Sequence, residues 1–268
     1  MVKTVPLDKI ISVDTEIETE PRQVLVIKKV GTDSSSKATI LVDQVPCCEI
    51  ITNVAPLRVT SSNLLGPLDL GDLYIVVPPE SKLKFTGASG SKLRIIGEVL
   101  QLDPGEAFGD PYKARYNAQG KNYVRYISGS LSLGTDVAWA KDAEHELVSL
   151  TPATVETYIF DGFIGVSITG DTVNPGDFGV KFYLDNIPLE YMYAANLQQG
   201  IDALSMPLPP ADSTNEVPFS LKDFPIEVAG DHTLTIKVRN TSGADKAPAS
   251  GSSWSVTLYA VCKYFKKG

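Results

Sequence analysis

Apolar and polar residues alternate with period two along most of this chain, the pattern of half-buried β-strands. In the first hundred residues the β-branched or alternating runs are 23–30, 38–42, 73–77, 82–86 and 93–102. Clusters of Gly, Ser, Pro and Asp divide them, which is the composition of turns. Weaker runs at 13–19, 49–52 and 57–60 bring this half to about eight short strands, the number in a jelly roll. Segment 84–93, with Gly87 and Gly90 inside it, predicts a hairpin. Residues 103–111 are rich in Pro, Gly and acid and mark a boundary. Beyond them strands are predicted over 123–133, 146–150, 157–168, 179–184, 231–239 and 253–265. One helix is predicted, over 189–204, where Leu189, Met192, Tyr193, Leu197, Ile201 and Leu204 recur at helical spacing before Pro207, Pro209 and Pro210.

The two halves share a pattern displaced by 142 residues. Val13-Asp14-Thr15-x-Ile17 returns as Val155-Glu156-Thr157-x-Ile159, and Val24-x-Val26 as Val166-x-Ile168. Ile40-Leu41-Val42-Asp43-Gln44-Val45-Pro46 returns as Phe182-Tyr183-Leu184-Asp185-Asn186-Ile187-Pro188. Downstream, Val77 to Phe85 matches Val228 to Ile236, and a last strand closes each half. A period this long describes a domain, since solenoid units run to roughly 20–50 residues. Each strand carries one apolar face and must bury it against a second sheet. The expectation is an all-β chain of two tandem jelly-roll β-sandwich domains, residues 1–103 and 119–268, joined by a linker at 104–118, with the one short helix in the second domain.

Charge removes one class of function. A net charge of −8 and a pI near 4.9 argue against a nucleic-acid surface, which is basic. The exception is a small basic segment at the carboxyl end, Lys263-Tyr264-Phe265-Lys266-Lys267. A few basic residues gain roughly 1 kcal/mol each near anionic lipid, so this segment is a candidate membrane-surface contact. The amino terminus has no apolar core of signal-peptide length, and no run approaches the roughly 20 apolar residues of a membrane helix. Synthesis in a cytoplasm is therefore expected.

Candidate chemistry is sparse. His145 and His232 lie in different contexts without metal-ligand spacing, and Cys47, Cys48 and Cys262 fit neither a disulfide framework nor a zinc site. Asp103, Glu106 and Asp110, and separately Asp171, Asn174 and Asp177, carry oxygen ligands suited to calcium, but neither set matches an EF-hand. Asn240-Thr241-Ser242 fits the glycosylation sequon. Trp139 and Trp254, and the group Tyr112, Tyr116, Tyr123 and Tyr126, suit either core and interface packing or sugar stacking. The Asp-x-(Val/Ile)-Pro element predicts a turn in both halves, with Asp bonding backbone and Pro stiffening the exit. No catalytic, cofactor or metal residue is assigned, and no enzyme activity is expected.

With its paired β-sandwich halves, each holding an apolar strand that ends in Asp before a turn (residues 38–43 and 180–185), the chain resembles the double jelly-roll capsid proteins. These belong to icosahedral viruses of bacteria and archaea that carry an internal membrane. The resemblance runs from about Val13 to Phe265; where the family often reads Asp-Gly at the turn, this chain has Asp43-Gln44 and Asp185-Asn186. It implies a virion protein made in the host cytoplasm: a shell subunit forming homotrimers of pseudo-hexameric outline, or a turret or vertex component. Implied partners are copies of itself, other virion proteins and the viral membrane surface, with no nucleic acid. The competing expectation is a tandem carbohydrate- or receptor-binding β-sandwich module.

Overall fold

The β-branched runs pair into sheets in the computed structural model, which describes residues 3–189, 200–208 and 219–267. They build two compact units: one holds the described residues up to Tyr126 and from Val261 onward, the other Ile127–Ala260. The boundary falls inside strands instead of in the linker expected at 104–118.

The first unit contains β1 (Lys3–Ser12), β2 (Glu16–Glu18), β3 (Gln23–Thr32), β4 (Ala38–Val42), β5 (Val45–Ile50), β6 (Leu68–Asp69), β7 (Ile75–Val77), β8 (Lys82–Thr86) and β9 (Lys92–Gln101). After them come helix α1 (Tyr112–Ala118) and the start of β10 (Asn122–Ser132). One sheet has the order β1-β9-β3, with β6 and β7 both against β3; the other runs β2-β8-β4-β5 and continues into β10. Taking the eight strands in chain order, with β6 and β7 as one, these are the two four-stranded sheets of a jelly roll. Leu25, Ile27 and Val30 of β3 share a face with Leu93 and Ile95 of β9, and Ile40, Leu83 and Phe85 are fully buried in the other sheet.

β3 is buried on its second face too. Val24, Leu25, Val26 and Ile27 form an unbroken apolar run, the signature of a strand covered on both sides. The cover is segment 103–118. Phe108, Tyr112 and Tyr116 pack against the cluster Val24, Val26, Val76, Leu100 and Leu102. Fully burying an aliphatic side chain is worth about 1.5–3 kcal/mol, so this is a structural layer and no free tether. Two polar residues fasten it. Buried Gln119 accepts from the Val76 N–H (2.6 Å) and donates to the Val76 carbonyl (3.1 Å), as a neighbouring strand would. Arg115 donates to the carbonyls of Leu73, Tyr74 and Asn122 at 2.7–3.2 Å, and burial lowers its pKa.

The second unit contains the rest of β10, then β11 (Glu144–Leu150), β12 (Glu156–Phe160), β13 (Ile164–Thr169), β14 (Phe178–Leu184), β15 (Ile187–Pro188), β16 (Ile201–Asp202), β17 (Ile226–Ala229), β18 (Leu234–Asn240) and most of β19 (Ser255–Lys266). One sheet is β11-β18-β14-β15, the counterpart of β2-β8-β4-β5, and β13 pairs antiparallel with β19 as β3 does with β9. Phe178 lies between Trp139 and Trp254, with ring centroids at 5.0 and 5.2 Å, in the core of this unit.

Several expectations are corrected. Segment 84–93 is no hairpin, because β8 pairs with β4 and β2 whereas β9 pairs with β1 and β3, so the chain crosses between sheets there. Residues 57–60 form no strand, and β1 was not foreseen. The match of Val13–Ile17 to 155–159 is not topological: β2 pairs with β8, its counterpart strand β11 pairs with β18, and β12 pairs with β17. Most of the helix expected over 189–204 lies outside the described residues. At its described end, Ile201–Asp202 is a strand and Ala203–Ser205 one 3-10 turn. The α-helix among the described residues is α1, in the first unit.

Candidate functional site

The repeated Asp element is where the two units agree atom by atom. β4 turns into β5 through Asp43 and Gln44, with φ of 48° and 68°, and β14 turns into β15 through Asp185 and Asn186, with φ of 51° and 65°. Two successive positive φ values make the tight hairpin turn whose twist suits antiparallel strands. The Asp43 N–H donates to the Lys82 carbonyl (2.9 Å) and its carboxylate accepts from the Lys82 N–H (2.9 Å). Asp185 repeats both bonds with Thr233, at 2.9 and 2.8 Å. Each Asp thus clamps its hairpin to the adjacent strand rather than bracing its own turn. The second carboxylate oxygen differs: Tyr116 donates to it in one unit (3.0 Å), and His232 lies 2.6 Å away in the other. The bond to Asp185 raises the His232 pKa, and the same bond lowers that of Asp185. Burial, with the Asp43 bond, raises the Tyr116 phenol.

Other predicted candidates are committed to packing. Trp139 and Trp254 are fully buried, and their indole N–H groups donate to the carbonyls of Ala143 and Lys246. His145 meets the Trp139 ring edge-on at 4.9 Å. The Asn240 side chain is buried; its amide donates to the carbonyls of Trp139, Ala140 and Ala244 and its oxygen accepts from Ser242, so the sequon offers no accessible amide. Asp177 is paired with Lys246 at 2.7 Å and bonded to the Asn174 backbone, a neutralised loop anchor. Among the described residues, no three of His, Cys, Asp or Glu are grouped to hold a metal ion. The three cysteines are buried and form no disulfide, and burial pushes the Cys47 thiol up to about 12. Lys263 and Lys266, expected in a tail, are part of β19. No helix among the described residues is long and apolar enough to cross a membrane.

A cleft of about 260 Å³ lies in the first unit, where segment 103–118 covers the β3–β9 sheet. It is lined by Val24, Leu100 and Leu102 from the sheet side, by Phe108 and Tyr112 from the covering segment, and by Thr4 of β1. Glu106 and Asp110, both exposed, stand on its rim. Ligand pockets usually measure roughly 300–1,000 Å³, so this volume suits one side chain or one ring. Chemically it offers an apolar bed and a negative mouth. Of the four grouped tyrosines, Tyr112 and Tyr116 project from α1 while Tyr123 is buried against Tyr264 at 5.0 Å, so they form no common platform. Sequence reasoning singled out Glu106, Asp110 and Tyr112 for other roles and missed the cleft, which depends on how 103–118 folds back.

No family model matches this chain, and no curated protein matches it. One solved structure it is similar to is a conserved protein of unknown function from Pseudomonas aeruginosa PAO1. That likeness has 7% identity and a TM-score of 0.21, covering 97% of this chain and 79% of the other.

Proposed function

We propose that this chain is a virion structural protein, a capsid shell subunit that associates as a pseudo-hexameric homotrimer, or a turret or vertex component of the same virion. One observation carries the reading. The core strands β2-β8-β4-β5 recur as β11-β18-β14-β15, with the Asp clamp at the same register in both. Two matching β-sandwiches in one chain let three chains contribute six near-equivalent modules, and closed cyclic association is the common way for copies to meet. On this reading the function lies in contacts with other copies and other virion proteins, not in catalysis. Electron microscopy of the concentrated protein tests it. Particles or tiled arrays with hexagonal outlines are expected, and a field of isolated single-chain particles at every concentration contradicts it.

A further inference from the structure

We infer that the acid-rimmed cleft of the first unit receives the lysine-bearing end of β19 from a second copy of this chain. The inference rests on the self-assembly reading above and names one contact within it.

Three observations select this occupant. The cleft is too small for a drug-sized ligand and has an apolar floor with carboxylates at its mouth. A lysine fits that layout, because its alkyl stem lies along apolar surface while the ammonium stays at the polar rim. A sugar fits less well: Tyr112 is engaged with Tyr74 and Phe108 with Tyr116, both as edge contacts, and neither ring is fully exposed. Second, a chain of net charge −8 repels its own copies unless a basic element meets an acidic one. Third, the exposed basic pair suited to this is Lys266 and Lys267, at the end of β19. The adjacent lysines Lys28 and Lys29 are already paired with Glu98 and Asp69. A contact that joins two different patches is head-to-tail, and such contacts close into a ring when the rotation between successive copies closes.

The test is charge reversal in the full-length chain, with mass read by light scattering across a dilution series at low and high salt. E106K/D110K and K266E/K267E should each raise the dissociation constant of the assembly about tenfold or more. The variant carrying all four changes should recover most of that loss. All four positions are exposed, and circular dichroism verifies folding. Assembly of E106K/D110K like the wild type overturns the inference and leaves the functional reading standing. A wild type that is monomeric at every concentration overturns the functional reading. In that case a labelled Lys-Tyr-Phe-Lys-Lys peptide is titrated onto the protein: saturable binding lost in E106K/D110K upholds the cleft's preference, and no binding overturns it. Two further results overturn it. One is a K266E/K267E variant that assembles normally but no longer sediments with anionic vesicles, which gives the basic end to lipid. The other is a glycan whose binding is lost in Tyr112→Ala, which gives the cleft to sugar.

Discussion

Asp43 and Asp185 hold positive-φ positions and spend one carboxylate oxygen on the neighbouring strand. The residues after them differ in how well they suit that geometry. Left-handed backbone costs an ordinary side chain about 1–2 kcal/mol, whereas asparagine visits it routinely. Gln44→Gly should therefore stabilise the fold by about 0.5–1 kcal/mol after the entropy glycine loses, and Asn186→Gly should change it by much less; urea midpoints compare them. The clamp also has a pH signature. His232 is raised by Asp185, so its contribution is complete below its ordinary value of 6.5 and fades as pH rises through the higher folded value. Asp185 is lowered, so its contribution holds above 3.8 and fades as pH falls through the lower folded value. Between those limits the pair is strongest. An NMR titration should place the His232 midpoint above 6.5 and return it toward 6.5 in Asp185→Asn. The Asp-Pro element was legible because it lies within seven contiguous residues. Its partners Tyr116 and His232 were not, since they are separated from it by 73 and 47 positions.

At the scale of elements, runs with clean alternation were read almost to the residue: 38–42 and 82–86 are β4 and β8. β1 escaped because Pro6 interrupts it and only Ile11 is fully buried, so it lacks a strong apolar face. The false hairpin at 84–93 shows the limit of local signals: glycines mark a turn but not whether the next strand joins the same sheet. The run Val24–Ile27 held unread information, since apolar residues on both parities require two covers. That second cover is 103–118, whose Pro and Gly content reads as a boundary. Gln119 is its most specific fastening. Gln119→Leu keeps the bulk but leaves the Val76 N–H and carbonyl without these bonds, at about 1–3 kcal/mol for each group left buried and unpaired. Thermal or urea unfolding should show a loss of about 2–6 kcal/mol for the two groups together, and hydrogen exchange at Val76 should accelerate. A variant as stable as the wild type would show that water replaces the amide.

For the whole molecule, the duplication was legible from the β-type substitutions that relate 24–26 to 166–168 and 40–46 to 182–188, and the jelly-roll sheet order bears out the all-β sandwich class. The extent of each unit was not. β10 and β19 are each one continuous strand, and no turn or breaker residue marks the point after Tyr126, or before Val261, where one unit gives way to the other. Association surfaces leave even less trace in sequence, because they are made of exposed residues with no periodic requirement. The central claim, that this chain is made to assemble with its own copies, is tested most directly by its mass in solution, measured by light scattering after size exclusion. A trimer of the 28.9 kDa chain that persists on dilution is expected. A single-chain mass at every concentration and salt condition contradicts it.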